Sequence, residues 1–261
     1  MLLHERLRNY RLLLASQSPR RRELLSGCGL PYELAPRYAC KERYPAGLPA
    51  EEVPRYLSRL KSEAYPFPLG ERDILLTADT VVVLGDRVLG KPHDRTDAVA
   101  MLRALAGRSH VVVSGVTLRT VHASHTFTAR SEVWFRPLRD EEIDYYVDTC
   151  RPYDKAGSYG IQEWLGYVAI ERIDGSFYNV MGLPVQRLYV ELERFLAAGE
   201  GEAQAESPAP RRAARNPESG PEATRGRAAR RAAAAAQRLR HPTSDVRRLT
   251  LRRSAPAAQA R

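Results

Sequence analysis

The chain has 261 residues, carries a formal net charge of +10, and changes composition sharply near residue 196. Residues 1–196 are mixed and apolar enough to bury a core. By contrast, 197–261 lack aromatic residues and are dominated by Ala, Arg, Pro, Gly, Glu and Ser. Such a segment buries too little apolar surface to offset its chain entropy. We therefore predict one folded domain over 1–196 and a disordered tail over 197–261.

Most of the positive charge belongs to the predicted tail. With 14 Arg, no Lys and 6 acidic residues, 197–261 carry a charge of +8, which leaves only +2 on the domain. The tail could bind nucleic acid or acidic surfaces non-specifically, or it is a solvated extension. The near-neutral domain argues against nucleic-acid binding as its own function.

Cysteine usage and the lack of long apolar runs indicate the compartment. The three cysteines are odd in number and fit no metal-binding spacing, which suits a reducing environment. No stretch approaches the roughly 20 apolar residues that span a bilayer, and the charged N-terminus lacks a signal-peptide core. We expect a soluble, cytoplasmic protein without a membrane segment.

Predicted strands and helices alternate along the domain. In chain order the pattern predicts a strand at 11–15, a helix from Pro19 to about Gly27, a strand at 32–35, a helix at 51–65, a strand at 74–84 that turns into 88–89, a helix at 94–105, strands at 110–121 and 127–135, a helix at 140–147, a strand element at 164–173 and a helix at 184–195. Asp94 or Thr96 is expected to cap the helix at 94–105. This alternation predicts a single α/β domain with a central, mixed and twisted sheet flanked by helices.

The first long helix begins with charges that its dipole disfavours. Ser18 is a good N-cap and Pro19 a good first helical residue. The first turn nevertheless holds three cations, Arg20–Arg22, at the positive end of the helix dipole. A bound anion would remove this conflict, because free backbone N–H groups, the hydroxyls of Ser16 and Ser18 and the guanidinium groups together form a phosphate cradle. The alternative is a solvated basic patch, to which we assign Arg22.

Asp79 lies inside the apolar, β-branched run 75–83. A carboxylate in such a strand is costly unless it is paired, hydrogen-bonded or bound to metal, and acids of this kind are often functional. With Thr80 beside it, Asp79 would align a water molecule or hold Mg²⁺ at a phosphate. The alternative is a strand-end Asp that caps a neighbouring turn.

The few lysines and a glycine-rich loop indicate further site residues. Against its many arginines the chain has only four lysines, which favours functional positions for Lys91, beside Gly90, and for Lys155. In the loop 154–163, Gln162 can donate and accept hydrogen bonds at once, which suits the polar edge of a nucleobase. Chance retention of the lysines and a solvated Gln are the alternatives. No segment matches a Walker phosphate loop, a dinucleotide-binding fingerprint or a zinc pattern.

Taken together, these segments resemble the successive motifs of the Maf family of nucleotide pyrophosphatases, first noted for inhibition of septum formation. The matching motifs are Leu14–Leu25, Ala78–Thr80, Gly90–Pro92, Asp154–Gln162 and Gly182–Pro184. They occur in the family's order between about Tyr10 and Phe195, and the tail has no counterpart.

The resemblance implies an α/β fold with a deep cleft and hydrolysis of a nucleoside triphosphate between its α and β phosphates. It implies a divalent metal, Mg²⁺ first with Mn²⁺ as the alternative, and a homodimer. Asp79 matches the proton acceptor, and Glu42 and Asp79 match the acids on the metal side. The remaining matches are Ser16, Arg20, Arg21, Lys61 and Lys91 around the phosphates, and Arg20, Thr80 and Gln162 at positions tied to substrate choice.

The motif combination is similar to the family branch that acts on dTTP and UTP. The branch that acts on 7-methyl-GTP, which commonly has Trp after the Pro and Ser-Asp-Gln at the acid, is the nearest alternative. A nucleic-acid-binding or division-regulating protein that uses its basic tail is the other. Two departures from the family pattern predict weaker metal binding. Lys41 stands where relatives usually have Asp, and Leu60 stands where they commonly have Glu.

Overall fold

The computed structural model describes residues 1–205, with side chains as far as residue 199. Its strands are β1 (Arg11–Leu14), β2 (Glu33–Leu34), β3 (Asp73–Leu84), β4 (Arg87–Leu89), β5 (Ser109–Arg119), β6 (Ser124–Phe135) and β7 (Ile170–Asp174). Its helices are α1 (Leu3–Arg6), α2 (Pro19–Gly27), α3 (Val53–Glu63), α4 (Arg95–Leu105), α5 (Asp140–Cys150), α6 (Trp164–Ala169), α7 (Phe177–Met181) and α8 (Val185–Ala205). The predicted α/β class is confirmed.

The strands form one mixed sheet in the order β2-β1-β3-β5-β6-β7, and β4 also pairs with β3. Strand β1 is parallel to β2 and β3, whereas the other pairs are antiparallel. Helices cover both faces. Side chains of α2 and α8 share one apolar cluster with β1 and β3, those of α4 and α5 share a second with β5 and β6, and α3 packs on a third. The predicted mixed sheet flanked by helices is therefore confirmed.

The central strand β3 has one edge that is paired at both ends and open in the middle. On that edge β1 pairs with residues 73–76 and β4 pairs with 82–84. On the opposite edge β5 pairs continuously with 75–83. Residues 77–81 thus have no strand partner on the first edge. Backbone groups in such a gap must find other partners, so side chains and ligands can approach the sheet there.

Alternation along β3 places neighbouring residues on opposite faces of the sheet. Val81 packs in the cluster that includes α3, so Asp79, two residues earlier, faces the same side. Ala78 and Val82 belong to the apolar clusters of the other face, and Thr80 faces that side. The open stretch of β3 therefore presents an acid to one face and a hydroxyl to the other.

Helix α3 packs very closely on the sheet because β5 has a glycine beneath it. Gly115 is the cross-strand partner of Asp79. A Cβ atom added at Gly115 would lie 2.2 Å from the Pro54 backbone O, so no other residue fits without a shift of the helix. This close approach brings the C-terminal half of α3, including Lys61, alongside Asp79.

Several predicted elements differ from the structure. The predicted strand element at 164–173 was wrong in its first half, where α6 forms and only Ile170–Asp174 is a strand. Short apolar runs do not distinguish strand from helix. Gly166 permits the helical turn, since a Cβ there would lie 1.8 Å from Ile161 O. Asp94, and not Thr96, caps α4, because its carboxylate accepts a hydrogen bond from Asp97 N at 2.8 Å.

The last described helix continues past its predicted end. Helix α8 runs to Ala205 rather than ending at Phe195, and so extends into the segment that composition assigned to the tail. Residues 206–261 lie outside the described residues, and the predictions of disorder and of nucleic-acid binding there stay predictions. Between residues 1 and 205, no helix is long and apolar enough to cross a membrane.

We predict that Gly115→Ala lowers the free energy of unfolding by about 2 kcal/mol or more, because the new methyl group collides with the backbone of α3. Thermal or denaturant unfolding measures this change. Gly27→Ala is the control, since nothing lies within 4 Å of a Cβ at that position, and it should leave stability unchanged or slightly higher. Equal effects of the two substitutions would show that α3 is not held by this contact.

Candidate active site

A cavity of about 880 Å³ opens at the unpaired stretch of β3. The ends of β1 and β4 border it, and the loops that follow them supply part of its wall. All residues assigned to the site from the sequence line this cavity: Ser16, Ser18, Arg20, Arg21, Glu42, Lys61, Asp79, Thr80, Lys91 and Gln162. Arg22 does not line it and is exposed to solvent, as expected for the solvated member of the arginine run.

Two carboxylates in the cavity share one lysine. Lys61 Nζ lies 2.6 Å from Asp79 Oδ1 and 3.0 Å from Glu42 Oε2. Asp79 is 8% exposed, so its charge requires a partner, and Lys61 on α3 supplies it. Only one Asp79 oxygen is used by this ion pair. The second oxygen remains able to accept a hydrogen bond from a water molecule or to bind a cation.

The Arg21 side chain closes the gap beside β3. Its Nη1 donates to Ala78 O at 2.8 Å and to Ser16 Oγ at 3.2 Å, and its Nε donates to Gly182 O at 2.9 Å. Its Nη2 donates to Thr80 Oγ1 at 3.3 Å. Of the five N–H groups of a guanidinium, protein oxygens engage four, so Arg21 fixes the cavity wall and has one donor left for a ligand. Burial lowers the pKa of Arg21, although Asp79 opposes that shift.

The start of α2 keeps its polar groups available. Ser18 is the N-cap residue, but its side chain makes no capping hydrogen bond, which corrects the expectation that its hydroxyl caps the helix. The Ser18 N–H instead donates to Ser16 Oγ at 3.3 Å. Both serines line the cavity. The first-turn N–H groups and the Ser18 hydroxyl can therefore serve an anion.

Arg20 belongs to an alternating chain of charges. Its Nη1 donates to Asp154 Oδ2 at 2.7 Å, and Lys155 Nζ lies 2.7 Å from Asp154 Oδ1 and 2.8 Å from Glu163 Oε1. Burial would raise the pKa of Asp154, but the hydrogen bonds from Lys155 and Arg20 outweigh it and lower this pKa to about 2. Asp154 therefore stays ionised at neutral pH and links α2 to the loop that carries Gln162.

Gln162 and Lys91 each bring to the cavity a polar group that no described residue pairs with. Gln162 Oε1 is buried and accepts no hydrogen bond from the described residues. Lys91, in the turn after β4, is exposed, and no described side chain forms an ion pair with it. A buried acceptor without a partner is costly. These groups are consistent with a ligand that carries an N–H donor and negative charge.

The two departures from the expected pattern lie outside the cavity wall. Lys41 is exposed and Leu60 packs on the apolar cluster of α3, and neither lines the cavity. Within the described range, no group of three or more His, Cys, Asp or Glu side chains is arranged to hold a metal ion. Glu42 and Asp79 both line the cavity and both approach the Lys61 ammonium, whereas Asp154, the third acid in the cavity wall, pairs with Arg20 and Lys155.

Some residues of the cavity region were not assigned to the site from the sequence. Asp154 and Glu163 flank Lys155 and Gln162, and their only sequence signal was the alternation of charge in that loop. Tyr159 lines the cavity, and its Oη lies 2.7 Å from His110 Nε2. Burial lowers the pKa of His110 to about 4. His110 is therefore neutral at physiological pH and forms a hydrogen bond with the Tyr159 hydroxyl.

A family model described as Maf-like protein matches residues 11–195. The chain belongs to the Maf family. A protein of Porphyromonas gingivalis strain W83 named dTTP/UTP pyrophosphatase is 53% identical over 193 residues, which cover 73% of this chain and 97% of that protein. A protein of Bacteroides thetaiotaomicron with the same name is 51% identical over 185 residues, covering 71% and 96%. The family assignment made from the motifs is confirmed.

The chain is less similar in sequence to the solved structures that it matches than to these two relatives. A dITP/XTP pyrophosphatase from Mycobacterium abscessus has 16% sequence identity and a TM-score of 0.34, over 76% of this chain and 100% of that one. The cavity-lining residues named above fall within the segment matched by the Maf family model.

We predict that stability decreases as the pH falls from 6.5 to about 4. In that interval the unfolded chain protonates His110, whereas the folded chain does not, because its pKa is about 4. The loss attributable to His110 is about 3 kcal/mol. The free energy of unfolding, measured with denaturant across this pH range, should depend less steeply on pH in His110→Gln than in the wild type. A slope in His110→Gln identical to that of the wild type would contradict the prediction.

Proposed function

We propose that this chain hydrolyses dTTP and UTP, and modified pyrimidine triphosphates, to the nucleoside monophosphate and pyrophosphate. The observation that carries the proposal is that Gln162 Oε1 has no hydrogen-bond partner among the described residues, in a cavity that serine hydroxyls and cationic side chains also line. Uracil and thymine present an N3–H donor beside carbonyl acceptors. A Gln amide complements that edge, since its oxygen accepts from N3–H and its nitrogen donates to a carbonyl.

The same amide disfavours cytosine. Cytosine has an acceptor at N3 and a donor at N4, so neither hydrogen bond along that edge can form without a flipped amide. A buried polar group left unpaired costs more than a weak contact. The relatives named dTTP/UTP pyrophosphatase support the same substrates. We assign Thr80 a supporting role, because its hydroxyl lies 2.8 Å from Ser114 Oγ and 3.2 Å from Gly182 O.

Phosphate binding is assigned to the start of α2 and to the cations around it. Backbone N–H groups at a helix start and serine hydroxyls bind phosphate well, and Ser16 and Ser18 lie there. Arg20 is already oriented by Asp154 at 2.7 Å and supplies a planar guanidinium. The Lys91 side chain is exposed and forms no ion pair with the described residues. These groups carry the positive charge that a triphosphate requires in a cavity.

A divalent cation, which we propose to be Mg²⁺ with Mn²⁺ as a substitute, fits the acid pair. Glu42 and Asp79 already approach one cation, the Lys61 ammonium, within 3.0 Å. Mg²⁺ typically binds through one or two carboxylates and substrate phosphates, so two protein acids suffice. When bound, such an ion polarises phosphoryl oxygens and neutralises their charge.

The residues of this chain supply positioning and proton transfer. Asp79 accepts a proton from the attacking water, and Lys61 keeps its carboxylate in place through Oδ1. Attack at the α phosphorus builds negative charge on the phosphoryl oxygens and on the departing pyrophosphate. Arg20 and Lys91 stabilise that charge, and the Arg21 fork holds the cavity wall beside β3.

We predict that Asp79→Asn lowers kcat by about 10²- to 10⁴-fold, because the amide cannot accept the proton, while nucleotide binding persists. Steady-state kinetics and equilibrium binding of a nonhydrolysable dTTP analogue separate the two effects. Asp73→Asn is the matched control, because Asp73 lies on the same strand but pairs with Arg11 outside the cavity. It should reduce stability and spare turnover. A near-normal rate in Asp79→Asn would remove this residue from the mechanism.

A panel of nucleotides with product analysis tests the substrate assignment. We expect kcat/KM for dTTP and UTP to exceed that for CTP by about 10²-fold, with monophosphate and pyrophosphate as products. ATP, GTP and 7-methyl-GTP complete the panel. Faster hydrolysis of 7-methyl-GTP would support the other family branch and overturn the proposal.

A further inference from the structure

The short turn that carries Gln162 is held at both ends by one tyrosine hydroxyl. Gly160 N–H donates to Tyr146 Oη at 3.0 Å, and the Tyr146 hydroxyl donates to Glu163 Oε2. Glu163 N–H also donates to Gly160 O at 3.1 Å and closes the turn from within. Tyr146 lies on α5 and is completely buried. The hydroxyl is therefore positioned by the protein core, independently of the loop.

A buried lysine fixes the other side of the same turn. Lys155 Nζ lies 2.8 Å from Glu163 Oε1, and the lysine side chain is 9% exposed. Glu163 thus uses one oxygen for Tyr146 and the other for Lys155. A Cβ at Gly160 would lie 2.9 Å from Glu163 Cδ and 3.1 Å from Lys155 Cε, so only glycine leaves room for these two side chains to meet.

Gln162 depends on this turn for its position. Its Oε1 accepts no hydrogen bond from the described residues, so no described donor holds that oxygen where a base would meet it. The backbone of the turn, which is held at both ends, sets the point from which the side chain extends. Recognition sites require their groups within about 0.5 Å of the productive position. A turn released from Tyr146 and Lys155 would leave Gln162 free to move or to flip its amide.

We propose that Tyr146 and Glu163 are positioning residues that set base discrimination by fixing the Gln162 turn to the core and to Lys155. This inference rests on the proposed function, since it assumes that Gln162 contacts the base. Neither residue touches the nucleotide. They influence substrate choice only by holding the turn that carries Gln162.

The test compares Glu163→Gln and Tyr146→Phe with the wild type on dTTP and CTP. Glu163→Gln removes the charge that pairs with Lys155. Tyr146→Phe removes the hydroxyl and leaves Gly160 N–H without its partner. We expect the ratio of kcat/KM for dTTP to that for CTP to fall by about tenfold in each variant. The ratio is measured on one preparation, so a lower folded fraction reduces both rates equally and cancels.

A double-mutant cycle shows whether the effect passes through Gln162. In a Gln162→Ala background the discrimination is already lost, and Glu163→Gln should lower the ratio no further. Glu142→Gln is the matched control. Glu142 also lies on α5, its Oε1 lies 2.9 Å from Arg136 Nη2, and neither residue of this pair lines the cavity. It should lower the melting temperature and leave the ratio unchanged.

Each contrary outcome has a distinct meaning. A wild-type enzyme with equal rates on dTTP and CTP overturns the proposed function itself. If the wild type prefers dTTP but Glu163→Gln and Tyr146→Phe keep the wild-type ratio, the proposed function stands and the positioning role is overturned. Equal losses on both nucleotides in the two variants also overturn it, because they indicate a structural role only. A further fall of the ratio in the Gln162→Ala background shows that Glu163 acts by another route and overturns the inference.

Discussion

The open stretch on one edge of β3 is the constraint on which the cavity depends. Strand β1 ends before it and β4 begins after it, so residues 77–81 keep one edge free while β5 holds the other. Backbone groups on a free edge need partners. Arg21 provides one, since its Nη1 donates to Ala78 O at 2.8 Å. Strand alternation then directs Asp79 and Thr80 to opposite faces at the same gap, and both line the cavity. Gly115 lets α3 approach closely enough for Lys61 to reach Asp79.

Charge compensation explains how so many ionised groups occupy one cavity. Lys61 is balanced by Glu42 and Asp79, and Asp154 is balanced by Arg20 and Lys155. Paired charges of this kind are preorganised, because they need little rearrangement when substrate binds. Lys91 and Gln162 Oε1 differ, since the described residues leave them without ion-pair or hydrogen-bond partners. A bound nucleotide could therefore pair with both groups, with a phosphate at Lys91 and the base at Gln162.

Most element types and several cavity residues could be predicted because they had a local signature, whereas Glu42 was assigned only through the family resemblance. Asp79 in an apolar strand, three arginines at a helix start and the scarcity of lysine are all visible in one dimension. Contacts between distant segments are not. Nothing near Asp154 indicates that it would orient Arg20, and nothing near Tyr146 indicates that its hydroxyl would meet Glu163. The contacts of Arg21 with the cavity wall could not be predicted for the same reason, since three of its four acceptors lie on β3 or in the Gly182 turn. Helix α6 was missed because its apolar run fits both periodicities, and the close approach of Gly166 to Ile161 O is a contact between residues that no periodicity shows.

In the proposed reaction, water attacks the α phosphorus of a pyrimidine triphosphate in this cavity. Hydrolysis of dTTP in ¹⁸O-labelled water, with mass spectrometry of both products, identifies the phosphorus that is attacked. We expect the label to enter dTMP and pyrophosphate to be released unlabelled. Label in pyrophosphate would place the attack on the β phosphorus, and release of labelled inorganic phosphate with dTDP would place it on the γ phosphorus. Either result would contradict the arrangement of Asp79, Arg20 and Lys91 proposed for this site.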